Sequence, residues 1–330
     1  ATCPTYQLLG DELDGPRGRI YLIKQIAEGQ LPTERTRGHL DRCLTCRNCE
    51  STCPSGVEYG KLVDIGRKWA EEKTAPRPSA ERITRWLLKE GLTSPTLFNT
   101  AMMMGRLMRP LMPETLKRKI PQGLPAGERP QRHHTRKMLI LEGCVQPGML
   151  PNINNATIRV FDALCIELIS SNKAGCCGAL RYHLNDQNGG LADAKRNIDA
   201  WWPSIENGKD SVEAIVMNAS GCGVMVKDYG HLLQDDPLYA SKAKCVSELC
   251  KDLSEIMPQF QEQLVQKIGR DKKAGVVYHP PCTLQHGQQI RGKVEGLLES
   301  LGIGVNLCAD SHLCCGSAGT YSVLQPILSE

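Results

Sequence analysis

Four cysteines stand closest to chemistry, in the run Cys43-x-x-Cys46-x-x-Cys49-x-x-x-Cys53-Pro54. Thiolates two residues apart can turn inward from a single loop, and three of them fill three corners of an iron–sulfur cube. The fourth ligand must come from elsewhere in the chain. Ala1-Thr2-Cys3-Pro4 offers it, as the last step of a second such run. Cys3, Cys43, Cys46 and Cys49 are therefore expected to hold one [4Fe–4S] cluster. Zinc also takes Cys-x-x-Cys pairs, but it binds four ligands in a tight tetrahedron, and a run this dense crowds it.

In two-cluster ferredoxins the fourth cysteine of each run ligates the other run's cluster. By that rule Cys53 serves a second cluster, whose remaining ligands are expected upstream of Ala1. The intact domain would carry two clusters, with one fully liganded by this sequence, and the chain reads as clipped at its N-terminus.

A second set of cysteines recurs. Cys144 precedes the vicinal pair Cys176-Cys177-Gly178 by 32 positions, and Cys282 precedes Cys314-Cys315-Gly316 by the same 32. The unit thus repeats at an offset of 138 residues. Adjacent cysteines bridge each other only with strain. Two thiolates on one tight turn suit a multi-iron site, so Cys144, Cys176, Cys177, Cys222, Cys282, Cys314 and Cys315 are candidate metal ligands. The competing reading is a buried cysteine acting as a small hydrophobe. It is preferred for Cys245 and Cys250, assigned to one helix, and for Cys308 and Cys165, the latter occupying the position of Gly302 in the other copy. The counterpart of Cys222 would fall near 360, so a C-terminal truncation is expected as well.

These sites need elements to position them. Residues 1–73 read as helices flanking clusters, with one helix from Arg19 to Ile26 (apolar at Ile20, Ile23 and Ile26) and another near Tyr59 to Lys73. Residues 74–136 read as a Pro-rich linker with a helix from Ala80 to Lys89. It also holds a methionine-rich stretch, 97–112, suited either to packing on a neighbouring domain or to an adaptable surface for a partner or membrane. Strands are expected at 138–141, 166–169, 213–218, 276–278 and 303–307, with helices at 154–164 and 293–301. Strand–helix–strand alternation argues for an α/β unit duplicated in tandem. The division is 1–73, 74–136, 137–270 and 271–330. The fold class is α+β multidomain: a helical two-cluster ferredoxin domain followed by tandem α/β domains.

The 330 residues allow several cores. Sixteen cysteines in a chain this long favour metal ligation over a disulfide framework. The formal charge of +4 is offset by anionic clusters, so no nucleic-acid partner is inferred. No apolar run approaches the ~20 residues that span a bilayer. Neither a G-x-G-x-x-G after a strand nor a P-loop is found, so hydride chemistry is expected on another subunit, and no catalytic residue is assigned here. His279, beside Cys282, suits either cluster tuning and proton donation or an ordinary hydrogen bond. His183 and His312 are read the same way, and His133-His134 as a solvated linker.

Five stretches together carry a resemblance: Gly15-Pro16-Arg17-Gly18-Arg19; Cys43 to Pro54; Gly143 to Gly148; Ala174 to Leu180; and Leu313 to Gly319. The chain resembles the iron–sulfur subunits of bacterial glycolate oxidase (glycolate dehydrogenase) over essentially its whole length. The resemblance implies cysteine-rich CCG domains, FAD on partner glycolate oxidase subunits only, and electrons relayed from glycolate oxidation to glyoxylate towards a membrane quinone or other acceptor. It also implies a cytoplasmic location, or a peripheral one on the inner membrane. In the related heterodisulfide reductases the repeat ends in Cys-x-x-Cys. Here Cys222 is followed by Gly223-Val224-Met225, so a five-cysteine site does not transfer. Another CCG-type subunit, of a glycerol-3-phosphate or lactate dehydrogenase or heterodisulfide-reductase-like, is the first alternative. A zinc-stabilised scaffold is the second.

Overall fold

The computed structural model describes residues 2–117, 120–206, 211–269 and 275–329. The expected division at 270/271 lies outside the described residues. Contacts separate two compact units, one comprising Ala1–Ile83, Tyr182–Gln187 and Ile268–Glu330, the other Thr84–Arg181 and Asn188–Lys267.

The first unit opens with five helices: α1 Pro4–Leu9, α2 Pro16–Ala27, α3 Glu34–Asp41, α4 Asn48–Ser51 and α5 Tyr59–Lys73. Proline at the first position starts α2, where the missing N–H costs nothing. Thr33 and Thr36 cap α3 reciprocally. The buried face of α2 carries Leu22, Ile23 and Ile26, together with Gly18 and Arg19. Ile23 and Ile26 pack on Leu40 and Ala70. A Cβ on Gly66 would sit 2.4 Å from Cγ1 of Ile23, so the close approach of α2 to α5 requires glycine there.

The second unit holds strands β1 Arg136–Ile140, β2 Ile166–Ser170, β3 Ile215–Met217 and β4 Cys250–Asp252. All pairs are parallel, in the order β2-β1-β3-β4. Helix Pro151–Ala163 links β1 to β2 and buries Ile158 and Phe161. Helix Gln187–Ile205 links β2 to β3 and buries Ala194, Asn197, Ile198 and Trp201.

Cys250 is not on the helix of Cys245: that helix ends at Leu249, and Cys250 begins β4, fully buried. A polar Lys251 between two inward-facing residues hid a three-residue strand. Cys165 and Gly302 match because each follows a helix end in a left-handed conformation, with φ of +60° and +79°. His134 is no solvated linker residue; its Nε2 meets Asp162 Oδ1 at 2.9 Å with the side chain mostly buried, while His133 is exposed. The helix expected at 80–89 runs Ser79–Thr93. The methionine-rich stretch forms helix Pro95–Met108, none of whose residues is buried. Its Arg106 donates to the carbonyls of Gly148 and Met149, closing the short helix Gln146–Met149 that follows Cys144.

The remainder of the first unit pairs β5 Gly275–Tyr278 with β6 Gly304–Leu307 in parallel. Helix Lys293–Ser300 precedes β6. The fold is α+β: a helical region, then two α/β repeats.

Candidate functional site

The first-unit site is built by the loop between α3 and α4. Thr45 and Arg47 both adopt positive φ, +54° and +57°, reversing the chain twice within three residues. That path turns Cys43, Cys46 and Cys49 towards one cavity, which Cys3, Arg19 and Tyr59 also line. Several donors reach the sulfurs. Thr45 N–H lies 3.4 Å from Cys43 Sγ, the Tyr59 hydroxyl 3.6 Å from the same atom, and Arg19 Nη1 3.8 Å from Cys3 Sγ. Burial pushes the Cys46 thiol up, and with the Cys43 charge it pushes Cys49 up to about 12. Buried thiols of this kind ionise when a cation replaces their protons. Among the described residues, no three cysteine sulfurs lie within 4.8 Å of one another. Cys53 is not among the residues lining this cavity. Backbone N–H groups of Val57 and Ser55 hold its thiol below the usual range.

The four candidate cysteines of the first repeat meet. Cys144, Cys176 and Cys177, and Cys222 follow β1, β2 and β3 respectively, at the carboxyl edge of the sheet. Strand order reverses between β1 and β3, which is where open parallel sheets place their ligands. Cys176 accepts hydrogen bonds from the Cys144 and Cys177 thiols, which drives it down to about 3 and Cys144 up. Cys177 is raised by its bonds to Cys176 and Cys222. The vicinal turn is braced from below. Asn197 donates to the Cys176 carbonyl at 2.8 Å and accepts from Gly175 N–H at 2.9 Å. Gly178 has φ +91°, and a Cβ there would lie 2.5 Å from the Gly190 carbonyl oxygen.

The second repeat repeats the turn. Cys282 and Cys314 are hydrogen-bonded, Cys282 driven up by that bond and Cys314 down to about 7. Gly316 has φ +80° and faces the Ser329 carbonyl, so the glycine of each Cys-Cys-Gly is fixed by conformation and by space. Cys315 is exposed. Cys46 and Cys314 lie close enough for the Cys314 charge to raise the Cys46 thiol. Asn48, next to Cys49, donates to the His312 carbonyl at 2.9 Å, and Ser51 meets His286 Nδ1 at 2.8 Å. The His286 Nε2 meets the His312 carbonyl at 2.9 Å. This histidine lies in the π-helical turn Thr283–Gly287, a form frequent at functional sites. His279 bonds the Leu313 carbonyl and His183 pairs with Asp64.

Cysteine spacing carries no signal for His286, Asn197, Tyr229, Arg67 or the burial of Arg19. Only Arg19 had a signal of another kind, within Gly15-Pro16-Arg17-Gly18-Arg19. The others sit on helices whose sequence is unremarkable until the fold brings them beneath a loop.

Residues 1–58 match the 4Fe-4S dicluster domain, and residues 138–227 and 276–330 match the cysteine-rich domain CCG. The chain is 53% identical to the glycolate oxidase iron-sulfur subunit of Escherichia coli (strain K12), over all of this chain and 80% of that protein. It is 29% identical to the probable glycolate oxidase iron-sulfur subunit of Bacillus subtilis (strain 168), over 99% of this chain and 79% of the relative. Lactate utilization protein A of Bacillus pumilus (strain SAFR-032) is 25% identical over 59% of this chain and 78% of that protein.

Proposed function

Because this chain belongs to the family of glycolate oxidase iron–sulfur subunits, an oxidoreductase component with an electron-transfer role, we propose that it relays electrons singly from a partner flavoprotein. That partner, with FAD, would oxidise glycolate to glyoxylate, and the acceptor would be a membrane quinone. The observation that carries this reading is the convergence of Cys3, Cys43, Cys46 and Cys49 on one cavity. A [4Fe–4S] cluster there supplies one-electron chemistry.

The chain's own residues have separable tasks. The four cysteines hold the group. Thr45 N–H and Tyr59 O–H donate to Cys43 Sγ, and such bonds tune potential. Cys282 and Cys314, beside Cys46, lie at the next step of a path within the same unit. Cys144, Cys176, Cys177 and Cys222 form a second candidate centre. Cys315 is proposed as a further ligand in the second repeat, and Cys53 as the ligand of the second cluster of the dicluster domain. The division 1–73, 74–136, 137–270 and 271–330 is proposed as the domain plan. No described helix is long and apolar enough to cross a membrane. A cytoplasmic location, peripheral on the inner membrane, is part of the proposal.

Iron and acid-labile sulfide, measured on anaerobically purified protein, test the reading. About four of each per chain supports the Cys3, Cys43, Cys46 and Cys49 site alone, and about eight adds a repeat. Zinc without sulfide would sink it. The similarity to lactate utilization protein A favours a second reading, in which the partner oxidises lactate. Assaying the co-purified flavoprotein with glycolate, lactate and glycerol 3-phosphate separates the two.

A further inference from the structure

Two arginines are buried around the loop that carries Cys43. Arg19 is 1% exposed and Arg67 6%. A buried guanidinium is costly unless anionic charge compensates it. Arg19 donates through Nε to the His39 carbonyl at 2.7 Å, through Nη2 to Thr5 Oγ1 at 3.0 Å, and through Nη1 towards Cys3 Sγ. Its carboxylate partner, Asp14 at 3.4 Å, is also claimed by Arg42 at 2.9 Å and His39 at 3.1 Å. One carboxylate therefore faces two guanidinium groups.

Arg67 has less. Its Nε donates to the Leu40 carbonyl at 3.1 Å, Nη1 to Thr45 Oγ1 at 3.0 Å and Nη2 to the Cys43 carbonyl at 2.5 Å. All three acceptors are uncharged, and all belong to the segment that presents Cys43. Among the described residues, no carboxylate forms a salt bridge with Arg67. Within salt-bridge reach among the described residues, Arg19, Arg42 and Arg67 thus have one carboxylate among them, Asp14. The anion that would balance their charge is the thiolate-ligated cluster.

We propose that Arg67, assisted by Arg19, is the fixed countercharge of the cluster held by Cys3, Cys43, Cys46 and Cys49, and raises its reduction potential. Reduction adds one electron to an already anionic group, and a buried cation stabilises the more negative state. Burial also spares this effect from salt screening. The proposal rests on the cluster reading above and adds the residues that poise it. Gly18, beside Arg19, lets α2 pass this close to the Glu12 backbone, where a Cβ would lie 2.1 Å from the carbonyl oxygen.

The test is an EPR-monitored redox titration of the full chain, purified anaerobically, following the signal that Cys49→Ala lacks. Arg67→Met is expected to shift the reduction equilibrium about tenfold towards the oxidised form, which is about 59 mV lower for a one-electron couple. Arg67→Lys, which keeps the charge, is expected to stay within threefold of the unaltered protein. An unmoved potential in Arg67→Met with iron and sulfide intact overturns the proposal. Should Arg67→Met lose its iron, the lysine variant decides. Iron retained at a near-normal potential supports a charge role, and iron lost there too makes Arg67 a strut and overturns it. An unaltered chain without iron and sulfide would instead overturn the cluster reading on which this stands.

Discussion

The Tyr229 hydroxyl donates to the Cys177 carbonyl at 2.8 Å while accepting from Asn197 Nδ2 at 3.2 Å. Both side chains are fully buried, and Asn197 also holds Cys176. The vicinal turn is thus suspended from two residues on separate helical segments. Removing the phenolic oxygen in Tyr229→Phe leaves a buried carbonyl unpaired, at a cost of about 1–3 kcal/mol. Thermal unfolding is expected to show that loss. If the first repeat holds metal, the iron count should fall there and leave the EPR signal of the Cys49 site unchanged.

Gly178→Ala should be harsher. The backbone at φ +91° disfavours any side chain, and the Gly190 carbonyl occupies the space a methyl group would need. The strain alone is about 1–3 kcal/mol, and the collision adds to it. A lowered Tm with exposed Cys176 and Cys177, read by thiol labelling of the native protein, is the expected outcome. Unchanged labelling would argue that the turn tolerates displacement.

Cys46→Ala is expected to remove about four iron atoms per chain. In the assembled complex it should abolish electron delivery to the acceptor while substrate still bleaches the partner's flavin. Stopped-flow absorbance distinguishes this from a collapse of the whole assembly, in which flavin reduction would fail too.

Arg77 is a structural counterpart to the proposed countercharge. It is buried, yet bonds Asp41, Glu71 and Glu81 at 2.6–2.7 Å. Truncation in Arg77→Met strands these carboxylates, of which Asp41 is the most buried, and a loss of about 3 kcal/mol is expected. Because its charge is already matched by these carboxylates, urea unfolding should register the change and redox titration should not.

The convergence of Cys3, Cys43, Cys46 and Cys49 on one cavity was legible because ligand spacing is a local property, and the tandem repeat because its offset recurs without gaps. The helix expected near Tyr59 to Lys73, after the cysteine run, runs Tyr59–Lys73. β4 was not expected, because three residues with Lys251 in the middle carry no period. Arg67 was invisible for a different reason. Its significance lies in the acceptors it meets on the 40–45 segment, a tertiary fact that no helical pattern encodes. The convergence of Cys46 with Cys314 was equally hidden, as 268 residues separate them.

The bond from Asn48 to His312 spans 264 residues. On the ribosome, the loop bearing Cys43, Cys46 and Cys49 is made long before its neighbours Cys282, His286 and Cys314 exist. Pairings so distant form late and slowly. The cysteine loop therefore waits through the synthesis of some 264 further residues, counted from Asn48 to His312, with its thiols lacking the second repeat beside them.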